Sequence, residues 1–321
     1  MYRKFYGLTR NPFEISPDPY FFYPTPRHNE ALANLNYGVQ RRKGFVVVTG
    51  EVGTGKTLLV RCLLDSLNRN QIAFAYVFNP RLSVPDFLRY VLTDLRLPTT
   101  GRTKSEMLAH LNNYLIARFR RGTTAALVVD EAQLLSWELL EEIRLLTNLE
   151  TAQQKLLQIV LVGQPELDRK LDSPHLRQLK QRIGLRCRLE PLGSEELRGY
   201  IRRRLELAGA NSHGSSLFSE EGISAIHNFS HGIPRLINTL CENSLVAGYV
   251  KQTKQITADI VREVAADFRM DIPCSTSAPE SEDAESRKKA LKALFRMIEE
   301  LDGASEKQLD EAKFESGVKA E

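Results

Sequence analysis

The octapeptide Gly50-Glu51-Val52-Gly53-Thr54-Gly55-Lys56-Thr57 restricts what this chain can fold into more than any other stretch. It fits the pattern G-x-x-x-x-G-K-[ST] at every fixed position. The apolar run Phe45–Thr49 before it reads as a buried strand, and Leu58–Leu67 behind it as a helix. Glycines at 50, 53 and 55 let the backbone curl, so that successive N–H groups converge on an anion at a helix N-terminus. Lys56 is then placed to neutralise β- and γ-phosphate charge, and the Thr57 hydroxyl to reach Mg²⁺. The contacting stretch is expected to run from Gly50 to Leu58. A phosphate loop joining a strand to a helix calls for an α/β fold.

Residues 44–192 repeat that alternation. Candidate strands are Ile72–Phe78, Leu127–Asp130, Gln158–Gly163 and Leu185–Leu189, separated by amphipathic helical stretches. Most are short, continuous apolar runs, as expected of parallel strands covered on both faces and joined by right-handed crossovers. The run Ala126-Leu127-Val128-Val129 carries Asp130 and Glu131 to a strand's C-terminal end, where ligands collect in open α/β sheets. Asp130 is expected to hold Mg²⁺ through water, and Glu131 to orient and deprotonate an attacking water. A protein that only bound nucleotide could dispense with Glu131; a hydrolase could not easily.

Four segments are expected: an arm and first helix over 1–43, the α/β core over 44–192, a helical lid over 193–269, and a polar tail over 270–321. In the third, Ser194 precedes Glu195 and Glu196 as an N-cap, and that helix should end near Gly209. Ser219 opens a second helix, Pro234 a third after Gly232, and Thr257 a fourth. The tail begins with a Pro/Ser/Glu linker, and Leu291, Leu294, Phe295, Ile298 and Leu301 then recur at helical spacing.

Composition excludes other classes. At 42% apolar and 26% charged residues the chain is neither collagen-like nor wholly disordered. No apolar run approaches the roughly 18 residues of a membrane span. The four scattered cysteines make no metal spacing and suit a reducing cytosol. Residues 271–321 hold 8 basic and 13 acidic residues; the other 270 hold 36 and 27, a net of +9 that suits a nucleotide without requiring DNA.

The two motifs with a helical region behind them resemble AAA+ ATPases. That resemblance implies the strand order 5-1-4-3-2. It also implies a polar sensor of the γ-phosphate at Gln164, after the fourth candidate strand. An arginine finger is implied at Arg182, with Arg177 the alternative, and a lid arginine at Arg235 within Gly232-Ile233-Pro234-Arg235-Leu236-Ile237-Asn238. The segments Phe5-Tyr6-Gly7-Leu8, Asn11-Pro12-Phe13, Pro17-Asp18-Pro19, His28-Asn29-Glu30-Ala31-Leu32 and Asp130-Glu131-Ala132-Gln133 are similar to the general secretion pathway protein A (ExeA-like) group over residues 1–268. By that analogy Pro12–Phe13 either packs by the adenine or caps a core. The chain is expected to lack that group's membrane span and peptidoglycan-binding domain.

The resemblance implies Mg²⁺-dependent ATP hydrolysis in a homo-oligomer, with ATP and Mg²⁺ as cofactors. The expected partner is a protein of a membrane-associated secretion, pilus or polysaccharide-export machine. The expected location is the cytoplasm, with peripheral attachment to the inner membrane as a variant. The alternative is a DNA-associated nucleotide switch, for which Arg198, Arg202, Arg203 and Arg204 with Lys180, Arg182, Arg186 and Arg188 would supply a basic stripe. A third reading is a regulatory adaptor that binds ATP without hydrolysing it. The six histidines receive no role, and Trp137 reads as helix packing or a partner surface.

Overall fold

Five strands pair in parallel, in the order β2-β3-β4-β1-β5, in a computed structural model of the chain. The structure describes residues 2–14, 16, 18–99, 103–152, 154–210 and 217–270. Helices α1 (Tyr2–Tyr6) and α2 (Pro26–Gln40) lead into β1 (Phe45–Gly50). Then follow α3 (Lys56–Arg69), β2 (Ala73–Val77), α4 (Val84–Asp94), α5 (Lys104–Arg120), β3 (Ala125–Val129) and α6 (Trp137–Leu146). The sheet is completed by β4 (Leu157–Gly163), α7 (Pro165–Leu171), α8 (Arg177–Lys180) and β5 (Ile183–Leu189). Four helices come after it: α9 (Ser194–Leu207), α10 (Glu220–Ser230), α11 (Pro234–Val250) and α12 (Ala258–Asp267). Strand order and direction are those expected. The tail helix expected at 291–301 lies outside the described residues.

Strand periodicity divides the sheet's side chains between two cores. Phe45 and Val47 of β1 face one side with Val77, Leu127, Ile159 and Leu161, beneath α4, α5 and α6. Val46 and Val48 face the other with Val128, Val160 and Val162, against Leu35 of α2 and Leu59 and Leu63 of α3. The interior strands are buried along their whole length, which explains their unbroken apolar sequence. Strand β5 is an edge strand, with Gly184, Arg186 and Arg188 exposed. Its alternation hides its start, which lies two residues before the expected Leu185. Strand β3 stops at Val129, one residue short of the expectation, and Asp130 N–H donates to the Val77 carbonyl at 2.9 Å.

A third core joins α9 to α12 with the first residues of the chain. Tyr6, Leu8, Phe13 and Phe21 are all buried in it. Phe13 is completely buried and meets Phe218 edge-on, ring centroids 6.0 Å apart. Of the two roles open to Pro12–Phe13, Phe13 takes that of core cap. Helix α9 is capped by Gly193, whose N–H donates to Glu196 Oε2 at 3.0 Å, so the N-cap stands one residue before the expected Ser194. Ser219 caps α10 with its own side chain, whereas Thr257 precedes α12 without such a bond.

The helical region is tied to the sheet by a backbone crossing. Leu192 N–H donates to the Gly232 carbonyl at 2.8 Å. Gly232 has φ +74, and a Cβ there would sit 2.1 Å from the Leu192 carbonyl oxygen. Neither the conformation nor the space admits a side chain. Gly232→Ala is therefore expected to lower stability by about 2–4 kcal/mol, from left-handed backbone strain together with overpacking. Urea unfolding should show an earlier midpoint at unchanged slope. An unchanged midpoint would refute the close crossing.

Candidate nucleotide site

The loop after β1 is shaped by its glycines and held from below by a histidine. Gly53 and Gly55 have φ of +84 and +95, so both occupy backbone that side chains rarely adopt. Thr54 is buried and turns its hydroxyl back onto the Glu51 carbonyl at 2.8 Å. The Thr54 carbonyl in turn lies 3.2 Å from His28 Nε2, while His28 Nδ1 lies 2.7 Å from Thr25 Oγ1. Burial pushes the His28 pKa down, which favours a neutral ring donating from Nε2 and accepting at Nδ1. Sequence reasoning gave His28 no role. A signal was available: Thr25 caps α2 with Pro26 behind it, and His28 stands three residues on, where capping side chains point back to the helix start.

Lys56 is buried, and its Nζ donates to the Gly50 and Glu51 carbonyls at 2.7 Å each. Burial lowers its pKa, against the opposing charges of Glu131 and Asp130. The Thr57 hydroxyl donates to Asp130 Oδ2 at 3.2 Å, and Glu131 N–H to Asp130 Oδ1 at 2.9 Å. Tyr76 adds its hydroxyl at 3.4 Å; burial and the neighbouring Asp130 raise that phenol to about 12. Burial raises the Asp130 pKa as well. A hydroxyl and a carboxylate form a hard-oxygen donor pair suited to Mg²⁺. Among the described residues no group of three or more His, Cys, Asp or Glu side chains could hold a metal. A cation here would draw its remaining oxygens from phosphate and water, as Mg²⁺ ordinarily does.

Glu131 is a left-handed residue at φ 50, just beyond the end of β3. Its Oε2 accepts from Gln133 Nε2 at 2.5 Å and from Gln164 Nε2 at 3.3 Å. Gln133 Oε1 accepts the Gln164 N–H at 3.0 Å, closing the network. Gly163 makes room for it, since a Cβ there would lie 2.8 Å from Gln133 Oε1. Gln164 thus stands beside Glu131 at the end of β4. Gln133 entered the sequence reading only within the Asp130-Glu131-Ala132-Gln133 segment and was given no role there, although it lies two residues past Glu131.

Arg235 begins α11 beside the loop: its N–H donates to the Gly53 carbonyl at 3.2 Å. A cavity of about 450 Å³ brings together Val52, Gly53, Gly55, Lys56, Thr57, Leu58, Glu131, Gln164 and Arg235, with Glu14, Ser16 and Asp18 of the arm and Tyr200, Arg204, Pro234 and Asn238 of the helices. Within the expected Gly50–Leu58 stretch, Glu51 meets this site through its backbone, accepting from Lys56.

Arg182 is placed elsewhere. Its guanidinium bonds the Arg144 carbonyl, Thr147 Oγ1 and Asn148 Oδ1 at the C-terminus of α6. Arg177, on α8, is exposed and has no side-chain partner among the described residues. The proposed basic stripe is largely consumed in ion pairs. Arg198 pairs with Glu195 and Glu220, Arg203 with Glu206, Lys180 with Asp172, and Arg186 with Asp168 and Asp172. Arg204 is buried, leaving Arg202 and Arg188 exposed. Trp137 is half exposed, against His175 and beneath Lys170, so it is not a core residue.

Comparison with known proteins bears on the family and the fold. Residues 39–171 match the AAA domain family. Over 257 residues, 80% of its length, the chain is 44% identical to General secretion pathway protein A of Aeromonas hydrophila. It spans about half the length of that relative, 46%. Among solved structures it is similar to Cdc6p from Pyrobaculum aerophilum at TM-score 0.63 and 19% identity, covering 81% of this chain and 71% of that one. It is also similar to the ORC2 protein of Aeropyrum pernix at TM-score 0.57 and 16% identity, covering 86% and 74%. These two likenesses speak to the fold alone.

Proposed function

We propose that this AAA-domain chain hydrolyses ATP with Mg²⁺ in an oligomer that drives conformational change in a secretion-type assembly. The observation that carries the hydrolytic reading is the Glu131 carboxylate, held by two glutamine amides beside the buried Asp130 and its Thr57 hydroxyl partner. The phosphates would lie on the loop N–H groups, with Lys56 released from its own carbonyls to meet them. Mg²⁺ held by Thr57 and Asp130 would neutralise charge between the β- and γ-phosphates. Glu131 would take a proton from the in-line water, and Gln164 would report the γ-phosphate to that carboxylate. Arg235, bonded through its backbone to Gly53, would carry the same report to α11. The chemistry is mainly positioning and charge stabilisation.

The finger that completes the site would come from a neighbouring copy. Arg177 is the better placed donor, because Arg182 would first have to abandon three acceptors on its own subunit. The relative's name supports a secretion-linked partner. Among the described residues no helix is long and apolar enough to cross a membrane. A cytoplasmic module, attached to an inner-membrane machine through that partner, fits both facts.

The test is steady-state phosphate release against protein concentration, with and without duplex DNA. The specific rate should climb with concentration, be indifferent to DNA, vanish with EDTA and return with Mg²⁺. A rate appearing only with DNA would replace the motor by the DNA-associated switch. ATP binding without turnover under any of these conditions would leave the adaptor reading.

A further inference from the structure

Arg204 is a buried cation without a carboxylate. It is 4% exposed, and its Nε and Nη1 are buried with no hydrogen-bond partner among the described residues. Its guanidinium is instead packed against the rings of Phe21 and Tyr200, with centroids 5.1 Å away in each case. Those rings come from the arm and from one helical turn earlier on α9. They fix the group in place and leave its N–H donors as what it can offer. Buried donors left without acceptors are costly, so their survival here needs a reason.

The cavity supplies one. Arg204 lines the same space as Lys56 and Thr57, at the part formed by α9 and the arm. Beside it, the Tyr200 hydroxyl donates to Asn238 Oδ1 at 2.8 Å, so the neighbouring polar pair satisfies itself. A nucleoside triphosphate seated in this cavity has its phosphates served by the loop, Lys56 and Arg235. The portion left for α9 and the arm is the nucleoside. Adenine offers ring nitrogens as acceptors and an exocyclic amine as donor. A guanidinium, which only donates, discriminates at N1, where adenine accepts and guanine carries an N–H; N3 and N7 accept in both bases.

Resting on the nucleotide reading above, we propose that Arg204 determines base specificity by donating a hydrogen bond to adenine N1. The base would thereby join arm, lid helix and phosphate loop through one ligand. Sequence alone placed Arg204 in a basic stripe with Arg202 and Arg203. Its spacing from Leu197, Tyr200 and Ile201 puts it on the buried face of α9.

The experiment measures dissociation constants of the full chain for ATP, its 1-deaza, 3-deaza and 7-deaza analogues, and GTP. Wild type is compared with Arg204→Met, and with Arg204→Leu should the methionine variant not fold; neither can donate. The 1-deaza analogue should bind about tenfold more weakly than ATP to wild type, as expected for a charge-assisted bond, and that penalty should disappear in the variant. Equal binding of ATP and the 1-deaza analogue by wild type would overturn the proposal, whatever the 3-deaza and 7-deaza analogues do. So would a penalty that persists in the variant, or tighter binding of GTP than ATP. Wild type that binds no nucleotide at all is a different result, and would overturn the proposed function itself.

Discussion

Glu131→Gln is expected to slow ATP turnover by about 10²–10⁴-fold while leaving nucleotide affinity unchanged. The substitution keeps the side chain's shape and its left-handed backbone. It removes the one property a general base requires, a carboxylate that can accept a proton. It also disturbs the glutamine network, because two amide donors now point at Oε2 and a new amide can accept at only one of its two heads. Loss should therefore appear in the chemical step and not in binding. Single-turnover hydrolysis, with bound nucleotide measured in parallel, separates the two. A variant hydrolysing at the wild-type rate would move the base elsewhere and sink the role given to Glu131.

The second large effect is expected from α8. Arg177→Ala should lower turnover by about 10³-fold, the scale of an arginine finger, without altering stability. Arg182→Ala should do the opposite. It removes bonds to the Arg144 carbonyl in the last turn of α6 and to side chains just beyond it, so it should cost about 1–2 kcal/mol of stability and little turnover once folded. Mixing provides the sharper reading. Arg177→Ala keeps its own Glu131, and Glu131→Gln keeps its own Arg177. Mixed oligomers of these two slow variants should recover turnover wherever a sound finger meets a sound base. Absence of recovery, with mixed oligomers demonstrated by size, would show that the site is complete within one chain. A 10³-fold loss in Arg182→Ala at unchanged stability would restore Arg182 as the finger.

What the sequence disclosed and what it withheld differ by range. The phosphate loop was legible because its chemistry is local: glycine, lysine and threonine at fixed spacing, between one strand and one helix. Interior strands were legible because burial on both faces leaves unbroken apolar runs, as in Leu157–Gly163. The start of β5 was misjudged by two residues because exposure on one side dilutes that signal, and the start of β3 by two because it opens on the weakly apolar Ala125-Ala126. Gln133, His28 and Arg204 were missed for a different reason. Each acts through a residue distant in sequence: Gln133 through Gln164, His28 through Thr54, Arg204 through Phe21. Polar side chains in such pairs look like surface residues until the fold closes around them. Arg182 illustrates the converse, since charge at a plausible position did not reveal that α6 already occupied it.

The aromatic arm has a consequence for how the molecule is made. Tyr6, Leu8, Phe13 and Phe21 leave the ribosome ahead of the sheet, yet the helices that cover them are synthesised after all of it. At ordinary translation rates of about 5–20 residues per second, that interval is on the order of 10–50 s. The α/β portion can gather its own two cores during that time, while four apolar side chains wait without partners. Newly made chains should thus pass through a sticky intermediate with a closed sheet and an undocked leader. Chaperone demand should fall away only when α12 emerges.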